Sequence, residues 1–184
     1  MALSPSFPIL IAVNDVGDAS LCSLSTGCVI SVYPFKGVVM DVSFSPDGKF
    51  FIAGSVDSTC RLFSVYNIPK IFVYTLSGHK NPIVGAFLFR NSVNVLTVSS
   101  DGMACLWECN TPFNELKSTN NSESGSLFKI SNRYRYSNSA DVQMTIPVSA
   151  VAFHKDLRLL ATGFESGLLL LHTFPDFVII SEVK

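Results

Sequence analysis

A chain of 184 residues with a formal net charge of -1 and only 15% charged residues has no electrostatic footprint for non-specific nucleic-acid binding, so any RNA contact must come from a local patch. Hydrophobic residues make up 48% and mean hydropathy is +0.39, yet no stretch reaches the ~20 apolar residues of a membrane span. The best candidate, Gly167 to Ile180, is broken by His172, Pro175 and Asp176. The run Phe7 to Val13 is short, has no basic residues before it and meets Asn14-Asp15, which is not a signal-peptide pattern. Five cysteines, an odd number, fit a reducing compartment. Cys22, Cys28, Cys60, Cys105 and Cys109 read as small buried strand residues, because none lies at zinc spacing from a histidine. The apolar excess is then expected in sheet faces buried on both sides.

In chain order, ILIAV, SLCSL and CVISVY between Pro8 and Tyr33 are three strands separated by turn formers, with no first strand evident before them. VVMDVSF, FFIAGS and CRLFSVY follow, the first two joined by the turn Ser45-Pro46-Asp47-Gly48, and Ile71 to Leu76 adds a fourth strand after Pro69. The next unit reads IVGAFLF, NVLTVS and ACLWEC, with Leu127 to Tyr136 as its delayed last strand. Residues 110–126 include KSTNNSESGS, which cannot bury enough apolar surface to order itself and reads as a solvated loop. The sequon Asn120-Asn121-Ser122 has no secretory route to give it meaning, and Ser122 and Ser124 read as linker residues. VSAVAF, LRLLATGF, GLLLLHTF and FVIISEV complete a fourth unit.

Phe44, Phe87 and Phe153 recur at the end of the first strand of three units. The first interval falls in the range of ~40 to 45 residues typical of propeller repeats, and the second is longer by about the polar loop. Gly78-His79 opening a unit, Ser100-Asp101-Gly102 at its turn and Trp107 at its end resemble a WD-type repeat, in which four strands make one blade. The resemblance implies an all-β fold, an incomplete WD40 β-propeller of about four partial blades, near residues 8–36, 37–78, 79–137 and 146–184. It also implies a buried hydrogen-bonded set of His79, Ser99, Asp101 and Trp107, structural rather than catalytic. Such a set has to be satisfied throughout, because an unpaired buried polar group costs several kcal/mol. In the second unit Phe63 holds the tryptophan position. In the fourth, Ser166-Gly167 replaces Asp101-Gly102 and His172 replaces Trp107, so that blade is expected to hold mainly by apolar packing. Four blades do not close a ring, and sheet faces at both ends are expected to be exposed.

FKGVVMDVSFSPDGK, TLSGHKNPIVGAF, SSDGMACLWECNTP and FHKDLRLLATGFESGLLLLHTFPDF look like the first propeller of the periodic tryptophan protein 2 family. The last string is the most specific, since blade geometry does not demand its Pro175-Asp176-Phe177. The resemblance implies a non-catalytic scaffold of the small-subunit processome, in the nucleus and nucleolus. Its partners would be other proteins of a pre-ribosomal assembly, with U3 small nucleolar RNA or pre-rRNA as a further contact. It implies no cofactor, no metal, no membrane and no small-molecule substrate. The chain departs from the family pattern in lacking a second propeller and a helical tail, and one blade looks skipped after Lys49.

No phosphate-cradling glycine loop or nucleophile elbow is present. Asp41, Asp47, Asp57 and Asp101 recur with the units, as turn and cap residues would, and His154 reads as a turn residue. The one local feature that suits RNA is KISNRYRY, where Arg133 and Arg135 would share one strand face for phosphates and Tyr134 and Tyr136 the other for stacking. The alternative is an outer strand with exposed arginines and packed tyrosines. A WD-type adaptor outside ribosome assembly, such as a substrate receptor or trafficking subunit, is the second functional class.

Overall fold

The computed structural model describes residues 1–65, 73–89, 94–110, 127–135 and 146–184, and among these there are strands and turns but no helix. The strands form four antiparallel four-stranded sheets, each in simple sequential order. The first holds β1 (Ala2–Leu3), β2 (Ile9–Val13), β3 (Asp18–Ser23) and β4 (Val29–Pro34). The second holds β5 (Val39–Phe44), β6 (Phe50–Ser55), β7 (Thr59–Ser64) and β8 (Val73–Ser77). The third holds β9 (Ile83–Leu88), β10 (Val95–Ser99), β11 (Met103–Cys109) and β12 (Phe128–Arg135). The fourth holds β13 (Val148–His154), β14 (Leu159–Phe164), β15 (Leu169–Thr173) and β16 (Ile179–Val183).

Turn chemistry sets these boundaries. At the β5–β6 turn the Asp47 carboxylate accepts hydrogen bonds from Ser45 Oγ at 2.6 Å and the Lys49 N–H at 3.1 Å. Gly48 takes φ 69° there, and a Cβ would stand 2.6 Å from Ser4 Oγ, so only glycine closes this turn without displacing the N-terminal segment. Asp57 works the same way at the next turn, accepting from the Thr59 N–H at 2.9 Å and its hydroxyl at 2.6 Å.

Side chains alternate across each strand, so the inner sheets bury both faces. Phe51, Ala53 and Phe63 face the first sheet and pack on Ile9, Ile11, Ala19 and Leu21. Ile52, Leu62 and Leu76 face the third sheet and meet Ile83, Leu88, Val95 and Trp107. Leu96, Val98 and Ala104 face the fourth sheet, with Leu160, Phe153 and Phe174 opposite. The sheets therefore stack in chain order, with the first strands near one another: β1 beside β5, β5 beside β9 and β9 beside β13. Phe51 and Phe63, cross-strand partners, stack at 4.6 Å with planes 9° apart, and Tyr33 closes on Phe63 at 4.6 Å.

The outer faces of the first and fourth sheets remain uncovered and apolar. Leu3 is paired with Leu10 on β2, and Leu3 and Val32 are more than half exposed on one side. Leu169 and its register partner Val183 are exposed on the other.

Two expectations need correction. The first sheet does have its first strand: Ala2–Leu3 pairs with β2 through Leu10 and Ile11, and two residues are too few to show a periodic pattern. Cys60 and Cys105 are buried, but Cys22 and Cys109 are only partly so and Cys28 is exposed, because it lies at the outer end of the first sheet just before β4. Most of the polar stretch 110–126, together with Ile71 and Pro69, lies outside the described residues. Replacing Phe51, which is fully buried, with alanine is expected to cost about 3–5 kcal/mol, read as a lowered midpoint in urea unfolding.

Candidate functional site

The polar residues of the third sheet converge on its face toward the second. Thr97 and Ser99 lie two apart on β10, so their hydroxyls share that face, and Trp107 on the neighbouring β11 is paired with Val95. Gly78 lets the indole in: a Cβ there would stand 2.9 Å from Trp107 Cη2. The Trp107 Nε1–H donates to Thr97 Oγ1 at 2.8 Å. Thr97 Oγ1 lies 2.7 Å from His79 Nε2, and His79 Nδ1 lies 2.9 Å from Ser99 Oγ. Ser99 Oγ donates to Asp101 Oδ1 at 2.6 Å.

The direction of this chain is forced from both ends. An indole can only donate and a carboxylate can only accept. Thr97, having accepted from Trp107, gives its hydrogen to His79 Nε2. The imidazole proton is therefore on Nδ1, given to Ser99, whose own hydrogen goes to Asp101. A second ring proton, on Nε2, would displace the Thr97 hydrogen from its bond to the ring, since two hydrogens cannot share one contact. Burial is the main cause that lowers the His79 pKa to about 4, and the nearby Arg133 charge adds to it against the pull of Asp101. At Asp101 burial acts to raise the pKa, but the bonds from Ser99 and the Met103 N–H and the charge of Arg135 hold it below the usual carboxylate value.

Thr97 was not anticipated from the sequence, although among the described residues it is the node that joins His79 to Trp107. The pattern Thr97-Val98-Ser99 was its one available signal. The fourth sheet repeats the bond that Thr97 makes. Thr162 Oγ1 lies 2.9 Å from His172 Nε2, with Thr162 and His172 both buried. That blade therefore keeps one polar tie that substitution of the tryptophan was expected to remove.

Asp41 also departs from expectation. It lies within β5 rather than at a turn, and its Oδ2 accepts the Ala86 N–H across the sheet interface at 2.8 Å. Ser43, two residues on, donates to the Ala86 carbonyl at 2.7 Å. Burial is the largest influence on Asp41 and raises its pKa despite the bond from Ala86. His154 caps a turn as its Nδ1 accepts the Leu157 N–H at 3.1 Å. Each histidine is thus committed to a structural bond.

The arginine and tyrosine residues of β12 divide between two faces. Arg133 and Arg135 are cross-strand partners of Cys105 and Met103, and Tyr134 of Ala104. Arg135 Nη2 lies 3.7 Å from Asp101 Oδ2, while Arg133 is exposed. Tyr134 stacks on Phe177 with centroids 4.0 Å apart and planes 21° apart, so one ring face is already occupied. Tyr136 lies outside the described residues. Among the described residues no group of acidic, cysteine and histidine side chains is arranged to hold a metal.

Known proteins resemble this chain in sequence. The family described as WD domain, G-beta repeat matches residues 27–64 and 70–108. The second match contains the whole chain from His79 to Trp107. A periodic tryptophan protein 2 homolog of Mus musculus is 26% identical over 271 aligned residues, covering 100% of this chain and 29% of its own. The homolog of Schizosaccharomyces pombe is 24% identical, covering 100% and 27%. Periodic tryptophan protein 2 of Saccharomyces cerevisiae is 30% identical, covering 79% and 16%. The chain is a WD-repeat member of the periodic tryptophan protein 2 family. It spans less than a third of the length of these relatives. The aligned length against the mouse protein exceeds this chain's, so that relative of the family spends more residues on the same region. The four sheets are those of an incomplete WD40 propeller.

Two outcomes are expected of the hydrogen-bonded chain. Thr97→Val keeps the shape but leaves the indole N–H and the His79 Nε2 unpaired at about 1–3 kcal/mol each, whereas Thr97→Ser keeps the bonds; urea unfolding will show Val far below Ser. The second concerns pH. Because the folded pKa of His79 is depressed to about 4, the unfolded chain binds the proton first as pH falls, so stability is full above about 6.5 and declines until about 4. Thermal melting across that window is expected to show the decline, and His79→Gln to reduce it to the part that His172, also depressed by burial, supplies.

Proposed function

We propose that the chain is a non-catalytic scaffold of ribosome assembly. It would act in the nucleolus within the small-subunit processome, docking other pre-ribosomal proteins near U3 small nucleolar RNA or pre-rRNA. Membership of the periodic tryptophan protein 2 family carries this reading. It is supported by the use to which the structure puts its polar groups: the three histidines are bonded within or between strands and turns, which is what a docking framework requires and what an acid–base centre does not leave free. The exposed guanidinium of Arg133 is the best placed phosphate contact on β12. Arg135 is drawn to Asp101 and Tyr134 to Phe177, so these two would contribute to RNA only after giving up internal partners.

The second reading is a WD-type adaptor outside ribosome assembly. Affinity purification of the tagged chain from its native cells, followed by RNA hybridisation and mass spectrometry, separates the two. U3 RNA and pre-ribosomal proteins are expected, and ligase or coat subunits in their place would establish the adaptor. Arg133→Glu is expected to reduce RNA recovery and to flatten its salt dependence by about one phosphate contact. Unchanged RNA recovery would remove Arg133 from the interface.

A further inference from the structure

The third and fourth sheets do not fill the space between them. A cavity of about 450 Å³ opens there, within the size range of small-ligand sites. Its walls include Val98, Ala104, Leu160 and Phe164, all buried. The substitution of His172 for tryptophan accounts for it. Between the second and third sheets the Trp107 indole reaches Gly78 and packs within the core. His172 makes the same kind of bond to its threonine, but the imidazole is too small to fill the equivalent space. Burial keeps this histidine's pKa low, so its wall is uncharged at neutral pH.

Asp176 and Phe177 stand at the mouth, and both belong to Pro175-Asp176-Phe177, the string that blade geometry alone does not require. Phe177 sits at φ 56°, a conformation bulky residues rarely adopt, and this places its ring on Tyr134. Phe174 packs against Phe89 and Phe153. Asp176 is exposed at the rim and makes no ion pair among the described residues. Arg133 and Arg135 border the cavity, but by register their side chains lie on the opposite face of the sheet from Tyr134, and Arg135 is directed to Asp101.

We infer that this cavity is a docking site for a partner peptide that inserts an aliphatic side chain between the sheets and sets an adjacent lysine or arginine against Asp176. The apolar walls suit the aliphatic group, and the rim carboxylate selects a cation beside it. A nucleotide is disfavoured, because its phosphate would approach Asp176 while the arginines are turned away. The inference does not depend on the ribosomal reading.

The test is an NMR titration of the isotope-labelled 184-residue chain with the capped peptide Ala-Ala-Leu-Arg-Ala-Ala. Its counterpart with glutamate for arginine and a short oligouridylate are the controls. Saturable shifts are expected at the Ala104, Phe177 and Ile179 amides with the arginine peptide, and binding about tenfold weaker with the glutamate peptide. Asp176→Asn, a surface change, should erase the difference between the two peptides. His172→Trp should fill the cavity and abolish the shifts while the melting temperature is kept or raised. The proposal fails if the arginine peptide gives no saturable shift, if the glutamate peptide binds as well, if oligouridylate alone moves these amides, or if folded His172→Trp binds like the parent. Should His172→Trp not fold, the Asp176→Asn comparison decides alone.

Discussion

The controlling constraint is that each sheet carries apolar side chains on both faces, so no sheet can stand without a neighbour. Phe51 and Phe63 look toward the first sheet while Ile52 and Leu62, one residue along on the same strands, look toward the third. Strand alternation makes this unavoidable once both positions are apolar. Burying a side chain of this size is worth about 1.5–3 kcal/mol, so stacking, rather than the hydrogen bonds within a single four-stranded sheet, holds the arrangement. The uncovered faces at the two ends follow from the same rule.

The polar run that crosses this stack is bonded at every member, whereas the buried Ser64 Oγ has no hydrogen-bond partner among the described residues. The run from Trp107 through Thr97, His79 and Ser99 to Asp101 has a donor-only end and an acceptor-only end, so each hydroxyl hydrogen is used once. That arrangement pairs every member when the imidazole is neutral, and burial, which holds the His79 pKa near 4, keeps it in that form. A catalytic histidine would need to gain and lose its proton near neutrality, and this one is built to do neither.

Much of the fold was legible because its signals are local. The spacing of Phe44, Phe87 and Phe153, the SPDG turn, and the Gly78-His79 and Trp107 markers each report on a few consecutive residues. What was missed depends on contacts between distant ones. Thr97 looks like any strand threonine until His79 and Trp107 are brought to either side of it. Asp41 resembles the turn aspartates in type but serves Ala86 on the next sheet. Ala2–Leu3 becomes a strand only because β2 offers an edge, and Cys28 is exposed because its sheet is at the end of the stack. At β12 the register sets Arg133 and Arg135 apart from Tyr134, but the partners that already occupy two of these side chains, Asp101 and Phe177, come from distant segments and left no local signal.

The bonds from Asp41 and Ser43 both end on the peptide groups of one residue, Ala86. Any slide of the second sheet past the third would break them together, so that junction resists shear as a latch does. The third and fourth sheets meet through apolar side chains around a void, with the Val148 N–H bonded to the Ser100 carbonyl at 2.8 Å near one end. Lys155, just past the other end of β13, donates to the Phe44 carbonyl of the second sheet at 3.3 Å, so the fourth sheet is tethered at both ends of its first strand and the softer material lies between the two tethers.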